Sequence, residues 1–214
     1  MDSFDETIAR KQRSEAVLRA AGVSINPHLP LIESEGEIFV RSPREVAERL
    51  LALNIVAVKG EGLEQEIIER IVEERGIRPL FSPLELVFID DPDPSEHDRL
   101  QFVWRYEAAW VLFWSLNFVQ GPLGLPSHLC DVPMLTETVR DSANLTANGT
   151  RSARELLDEA DLIYRCAWAI RQAGLDRVTP VGSLAPGVTM ERHYALNWLI
   201  DPDGSDWDDV DTST

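Results

Sequence analysis

The sequence predicts one all-α domain, a single-domain bundle of about seven to nine helices around a central tryptophan-rich helix. Three observations carry this. Capping signals recur: Ser42-Pro43-Arg44-Glu45, Ser82-Pro83-Leu84-Glu85 and Ser152-Ala153-Arg154-Glu155 each set a hydroxyl three residues before a glutamate. That spacing satisfies the free N–H groups at a helix start. No series of strand-like segments at regular spacing appears, which argues against a sheet-based fold. The stretch Trp104 to Trp114 is apolar on nearly every face, the pattern of a helix buried all round.

The elements follow in order. A first helix is expected from Asp5 to Ala21, stopped by Gly22, with Ile8, Val17, Leu18 and Ala21 inward and Arg10, Lys11 and Arg13 on the wet side. Asn26-Pro27-His28-Leu29-Pro30 forbids helix. Leu31-Ile32 and Ile38-Phe39-Val40 flank Ser34-Glu35-Gly36, so a short β-hairpin is expected near residues 30–41. Helices then run from Ser42 to Val58, broken by Gly60 and Gly62, from Leu63 to Arg75, stopped by Gly76, and from Ser82 to about Asp90. Ser95 opens the central helix, expected to continue unbroken to Phe118. Asp131 caps a short helix to about Arg140, and Ser152 opens a long one to Gln172. Pro180 to Gly187 reads as loop and Val188 to Ile200 as the last helix. Residues 1–200 form the domain, and 201–214 read as a solvated acidic C-terminal tail.

The formal charge is −17. Such a field repels nucleic-acid phosphates and anionic lipid and favours basic partners, cations or plain solubility. Cys130 and Cys166 form no C-x-x-C pair, so they read as reduced, buried thiols. The acidic N-terminus has no apolar h-region. No apolar run approaches the roughly 18–20 residues of a membrane span. The expectation is a cytoplasmic protein with no nucleic-acid or membrane partner, while the oligomeric state stays open.

Several blocks carry a family likeness. They are Arg10-Lys11-Gln12-Arg13-Ser14 with Gly22, Ile25 to Glu33, Arg41-Ser42, Asp91-Pro92, Gln101 to Trp110, Cys130-Asp131-Val132 and Glu191 to Leu199. Together they resemble an uncharacterised bacterial family, domain of unknown function 4272. The resemblance implies a bacterial, cytosolic, mostly helical domain. It implies no activity and supplies no catalytic residue.

The charges inside the apolar segments are the candidates for chemistry. Arg105 and Glu107 stand about 200° apart on a helix of 3.6 residues per turn, so each needs a partner on another element. Glu191 and Arg192 on the last helix, and Asp161 and Arg165 on the helix from Ser152, keep the same apolar company. Two readings compete. In one, the cluster is a buried ionic network that fixes helix packing. In the other it is a site: His193 as general acid or base, Arg105 or Arg192 as anion clamp, Glu107 or Glu191 orienting the histidine.

His193 and Asn197 share a face, but zinc or iron needs further ligands. His28, His97 and His128 stand outside any H-x-x-x-H. The acidic turns at Asp90 to Glu96 and Asp201 to Asp206 both miss the EF-hand pattern. No G-x-G-x-x-G or P-loop occurs, and the tryptophans at 104, 110, 114, 168 and 198 read as core. No metal and no cofactor is expected. The leading function class is a non-enzymatic acidic binding protein for a basic protein partner. The alternative is a small-molecule hydrolase or transferase with a His/Glu/Arg site between core helices.

Overall fold

A computed structural model describes residues 4–178 and 183–213. Among the described residues there are nine α-helices, two 3-10 turns and no strand. The helices are α1 (Phe4–Ala20), α2 (Pro43–Gly60), α3 (Gln65–Arg75), α4 (Pro83–Asp90), α5 (Glu96–Val103), α6 (Arg105–Ser115), α7 (Val132–Asp141), α8 (Ala153–Asp176) and α9 (Pro186–Ile200). The expected loop at Pro180 falls partly outside the described residues. Among the described residues no helix is long and apolar enough to cross a membrane.

All three Ser-x-x-Glu sequences form reciprocal capping boxes, at Ser42, Ser82 and Ser152. Gly76 closes α3 in the left-handed conformation with φ 60°, where glycine carries no Cβ penalty. Helix α6 is the centre. Its residues 106–109 and 111–115 are buried, and it lies between α2 and α9. Helix α8 packs on α9, and α1 covers α8. Helix α2 is buried on two sides. Val46, Leu50 and Leu53 face the main core, while Ala52, Ile55 and Val56 face a smaller cluster with Ile68, Val72, Phe81 and Phe88.

The predicted central helix is two helices. At Trp104 the α-helical ladder lapses: ψ is −21°, and the Glu107 N–H donates to Trp104 O, an i to i+3 bond of 3.0 Å. This is a tight 3-10 step. The Trp104 indole lies against Gly187, where a Cβ would come within 2.6 Å of the ring. Trp104 is 37% exposed, so the sealed interior begins only beyond it.

Other expectations are corrected. The hairpin at residues 30–41 is irregular chain, because its backbone groups bond elsewhere. Glu33 O accepts from Arg10 at 2.8 Å, and the Arg41 N–H donates to Leu199 O at 3.1 Å. Arg10 is buried at 1% exposure instead of wet, while Val17 is exposed. The Arg10 guanidinium also sits 3.6 Å from Asp158 of α8. Helix α8 runs past Gly174 and ends at Arg177, φ 54°.

Both lysines of the chain work as internal clamps. Lys11 donates to Pro27 O and Leu29 O at 2.7 and 2.6 Å. Lys59 is 4% exposed and donates to Gln65 Oε1, Ile89 O and Asp91 O. It thereby satisfies carbonyls left free at the end of α4.

The C-terminal segment is a packed strap. Trp207 is 5% exposed and meets Tyr194 and Trp198 edge to face at 5.0 and 5.5 Å. The Arg49 guanidinium lies over its ring at 5.1 Å. Arg41 donates to Ser205 O, Tyr194 Oη to Trp207 O, and Asn197 to Asp211 O. One indole in an acidic stretch brings the segment down by burying its apolar area.

At Gly60 the backbone of α5 comes close to α2. A Cβ there would lie 2.8 Å from Arg99 O and 3.0 Å from Val103 N. Both are backbone atoms and cannot rotate aside. Gly60→Ala is expected to cost about 1–3 kcal/mol through overpacking, read as a lowered midpoint in urea unfolding. An unchanged midpoint would mean the two helices separate freely.

Candidate functional site

Consecutive residues on a helix project about 100° apart. Glu191, Arg192 and His193 of α9 therefore diverge, while Tyr194, three residues on from Glu191, comes back to Arg105, which lies over its ring at 5.6 Å. Arg105 Nη1 of α6 donates to both oxygens of Glu191 at 2.9 Å. Arg192 Nε lies 3.5 Å from Glu107 Oε2. The pairing of α6 with α9 is thus crossed, Arg to Glu and Glu to Arg. Asp161 and Arg165 of α8 instead pair with each other, at 2.7 and 2.9 Å.

The Glu107–Arg192 pair also holds the chain between α6 and α7. The Cys130 N–H donates to Glu107 Oε1 at 2.6 Å, and Arg192 reaches Leu123 O and His128 O at 3.5 and 3.4 Å. Glu159 of α8 accepts from the Gly124 N–H at 3.1 Å. Burial pushes the carboxyl of Glu159 up against the pull of these N–H groups. Burial likewise raises Glu191, opposed by Arg105. The Cys130 thiol is pushed far up by burial and by Glu107, so it carries no nucleophilic thiolate.

His193 does not join this cluster. It is 4% exposed, its ring lies 6.2 Å from Tyr164 of α8, and it lines a cavity of about 380 Å³. None of Arg105, Glu107, Glu191 and Arg192 lines that cavity. Its walls are residues 30–33, the α8–α9 face and the C-terminal strap. Among the described residues they present Glu33, Asp201, Asp203, Asp209 and Asp211, together with Tyr164 and Asn197, and no lysine or arginine. Asn197, predicted to share a face with His193, does so, and its amide holds the strap through Asp211 O.

No described residue hydrogen-bonds the His193 ring. Burial first, and then Arg171, push its pKa down to about 4, with Asp211 opposing. The imidazole is therefore neutral at pH 7, with one nitrogen free to accept and the other to donate. Asp201 and Asp211 accept from the backbone of their own turns, through Asp203 N, Ser205 N and Ser213 N. Glu33, Asp203 and Asp209 have no such partner among the described residues. Among the described residues no group of three or more His, Cys, Asp or Glu is placed to hold a metal ion. From the sequence, Asp201 to Asp206 is weighed only as a calcium turn, and the strap reads as a solvated tail. Trp207, the lone large aromatic in the strap, is the signal that it is folded down.

The histidine makes stability depend on pH. Its ordinary value is 6.5 and its folded value about 4, so the unfolded chain takes up the extra proton between them. Stability from this group is complete above about pH 6.5 and is lost as pH falls to about 4, by up to about 3 kcal/mol. The raised carboxyls of Glu159 and Glu191 act the opposite way. The check is urea unfolding between pH 7 and pH 4 in the parent and in His193→Gln. The parent should lose more stability than the variant, and parallel losses would refute the assignment.

A family model described as Domain of unknown function (DUF4272) matches residues 10–210. The chain belongs to the DUF4272 family. No curated protein and no solved structure matches it. The DUF4272 match takes in the crossed ion pairs, His193 and the buried Trp207. Its description names no activity.

Proposed function

We propose that this DUF4272 chain is a non-enzymatic, acidic binding protein whose partner is a basic protein. The observation that carries the reading is the groove over His193, walled among the described residues by five carboxylates and no basic side chain. The charge of −17 supports it, because a field of one sign speeds encounter with a partner of the other. The four charges of α6 and α9 answer one another and the loop backbone, which suits a packing role. The hydrolase or transferase alternative needs Glu107 or Glu191 at His193, and no hydrogen bond joins either to it.

The test is fluorescence anisotropy with a labelled octapeptide of alternating arginine and serine. Binding is expected at low salt and at least tenfold weaker at physiological ionic strength, as surface attraction is screened. No binding at low salt would overturn the reading. Turnover of an activated ester, lost in His193→Gln, would replace it with the enzyme.

A further inference from the structure

We infer that the groove between the C-terminal strap and the α8–α9 face binds a single organic cation, an alkylammonium or guanidinium group, with His193 as hydrogen-bond acceptor at its floor. The inference rests on the basic-partner reading and gives it a place.

Two independent observations meet here. The first is the set of unengaged carboxylates. Glu33, Asp203 and Asp209 come from separate stretches of chain, and no hydrogen bond among the described residues occupies them. Acids alone would mean little, since charged groups on a surface are normally solvated. The second observation is His193. The residue is 4% exposed, lines the same groove and has no hydrogen-bond partner among the described residues. The residue is buried, but its ring nitrogens are not among the sealed polar atoms of the core, so they stay open to an N–H donor that enters the groove.

The geometry selects the kind of cation. The carboxylates and the histidine are too dispersed to close around a metal ion. A polyatomic cation with several N–H donors spans such a set, because each N–H points to a different acceptor. The volume of about 380 Å³ is at the small end of ligand pockets, roughly 300–1,000 Å³. It admits one side chain or a short diamine. The neutral imidazole accepts from an ammonium or guanidinium N–H without charge repulsion. Tyr164 lines the groove beside it, with the Arg165 guanidinium 5.9 Å from its ring. Arg171 of α8 acts electrostatically on His193 but does not line the groove.

The experiment is a calorimetric and ¹H–¹⁵N NMR titration of the full chain with three probes: N-acetyl-argininamide, its citrulline counterpart and putrescine. The arginine probe is expected to bind and to shift the amides of Glu33, His193 and Asp203. The citrulline probe should bind at least tenfold more weakly. Putrescine binding tighter than capped arginine would identify a free amine as the source of the cation; the reverse would identify a protein side chain. Asp203→Asn combined with Asp209→Asn alters two exposed positions and should weaken the arginine probe at least tenfold without unfolding the chain. His193→Leu should weaken it similarly. No binding of any probe at millimolar concentration, or binding untouched by the double variant, would overturn the site. If the arginine–serine octapeptide binds the double variant as well as the parent, the basic-partner reading stands and the groove assignment fails. If capped arginine binds and the octapeptide does not, the groove stands and the protein-partner reading fails.

Discussion

Glu107→Ala is expected to destabilise the fold by about 3–5 kcal/mol, the cost of leaving one member of a buried ion pair alone. Glu107 is 2% exposed and Arg192 6%. Removing the carboxylate strands the Arg192 guanidinium in the core and takes the acceptor from the Cys130 N–H. Glu107→Gln keeps that acceptor and should cost less. The informative comparison is the double variant Glu107→Gln with Arg192→Met, measured beside both single variants by urea unfolding. If the charges matter to each other, the double variant costs less than the two singles combined. Strict additivity would mean the ions act separately. A loss below about 1 kcal/mol for Glu107→Ala would place the pair with exposed bridges, whose contribution is small.

Trp207→Ala should cost as much, about 3–5 kcal/mol, the range for truncating a buried aromatic. The indole contacts Tyr194 and Trp198 and lies under Arg49, itself paired with Glu85. Without it the strap keeps the partly buried Val210 and hydrogen bonds from Arg41, Leu84, Asn197 and Tyr194, and the bonds compete with water. The change should therefore open the groove as well as lower stability. Two measurements separate these effects. Urea unfolding reads the stability. An NMR titration of the His193 ring reads the groove, and its pKa should climb from about 4 toward 6.5 as burial is lost. A stable variant with an unchanged histidine would show that the strap holds without its tryptophan.

The sequence was legible where structure is written in near neighbours. A serine three residues before a glutamate announces a helix start, and Ser42, Ser82 and Ser152 all behave so. The pairing of Arg105 and Glu107 with Glu191 and Arg192 was legible for a different reason. Charges set among apolar residues must find opposite charges, and few candidates existed. What was hidden depends on contacts between distant parts. No proline or glycine marks the break at Trp104. Arg10 looks like any surface arginine until α8 and Glu33 close over it. The hairpin pattern at residues 30–41 was outcompeted by Arg10 and Leu199, which take its backbone groups. His193 was grouped with Arg105, Glu107, Glu191 and Arg192, and the structure sets it apart from them. Helical spacing fixes which residues diverge, not which neighbour each one meets.

The two lysines have a practical consequence. Lys59 is enclosed with all three ammonium hydrogens engaged, and Lys11 is tied down along one side of α1. Acylating labels and amine crosslinkers find no freely extended ε-amine on either residue. The exposed positive charge of this chain is carried by guanidinium groups, which such reagents leave alone. Acylation at Lys59 therefore becomes a clock for local opening around α4, blank while the native contacts hold and lit when they part.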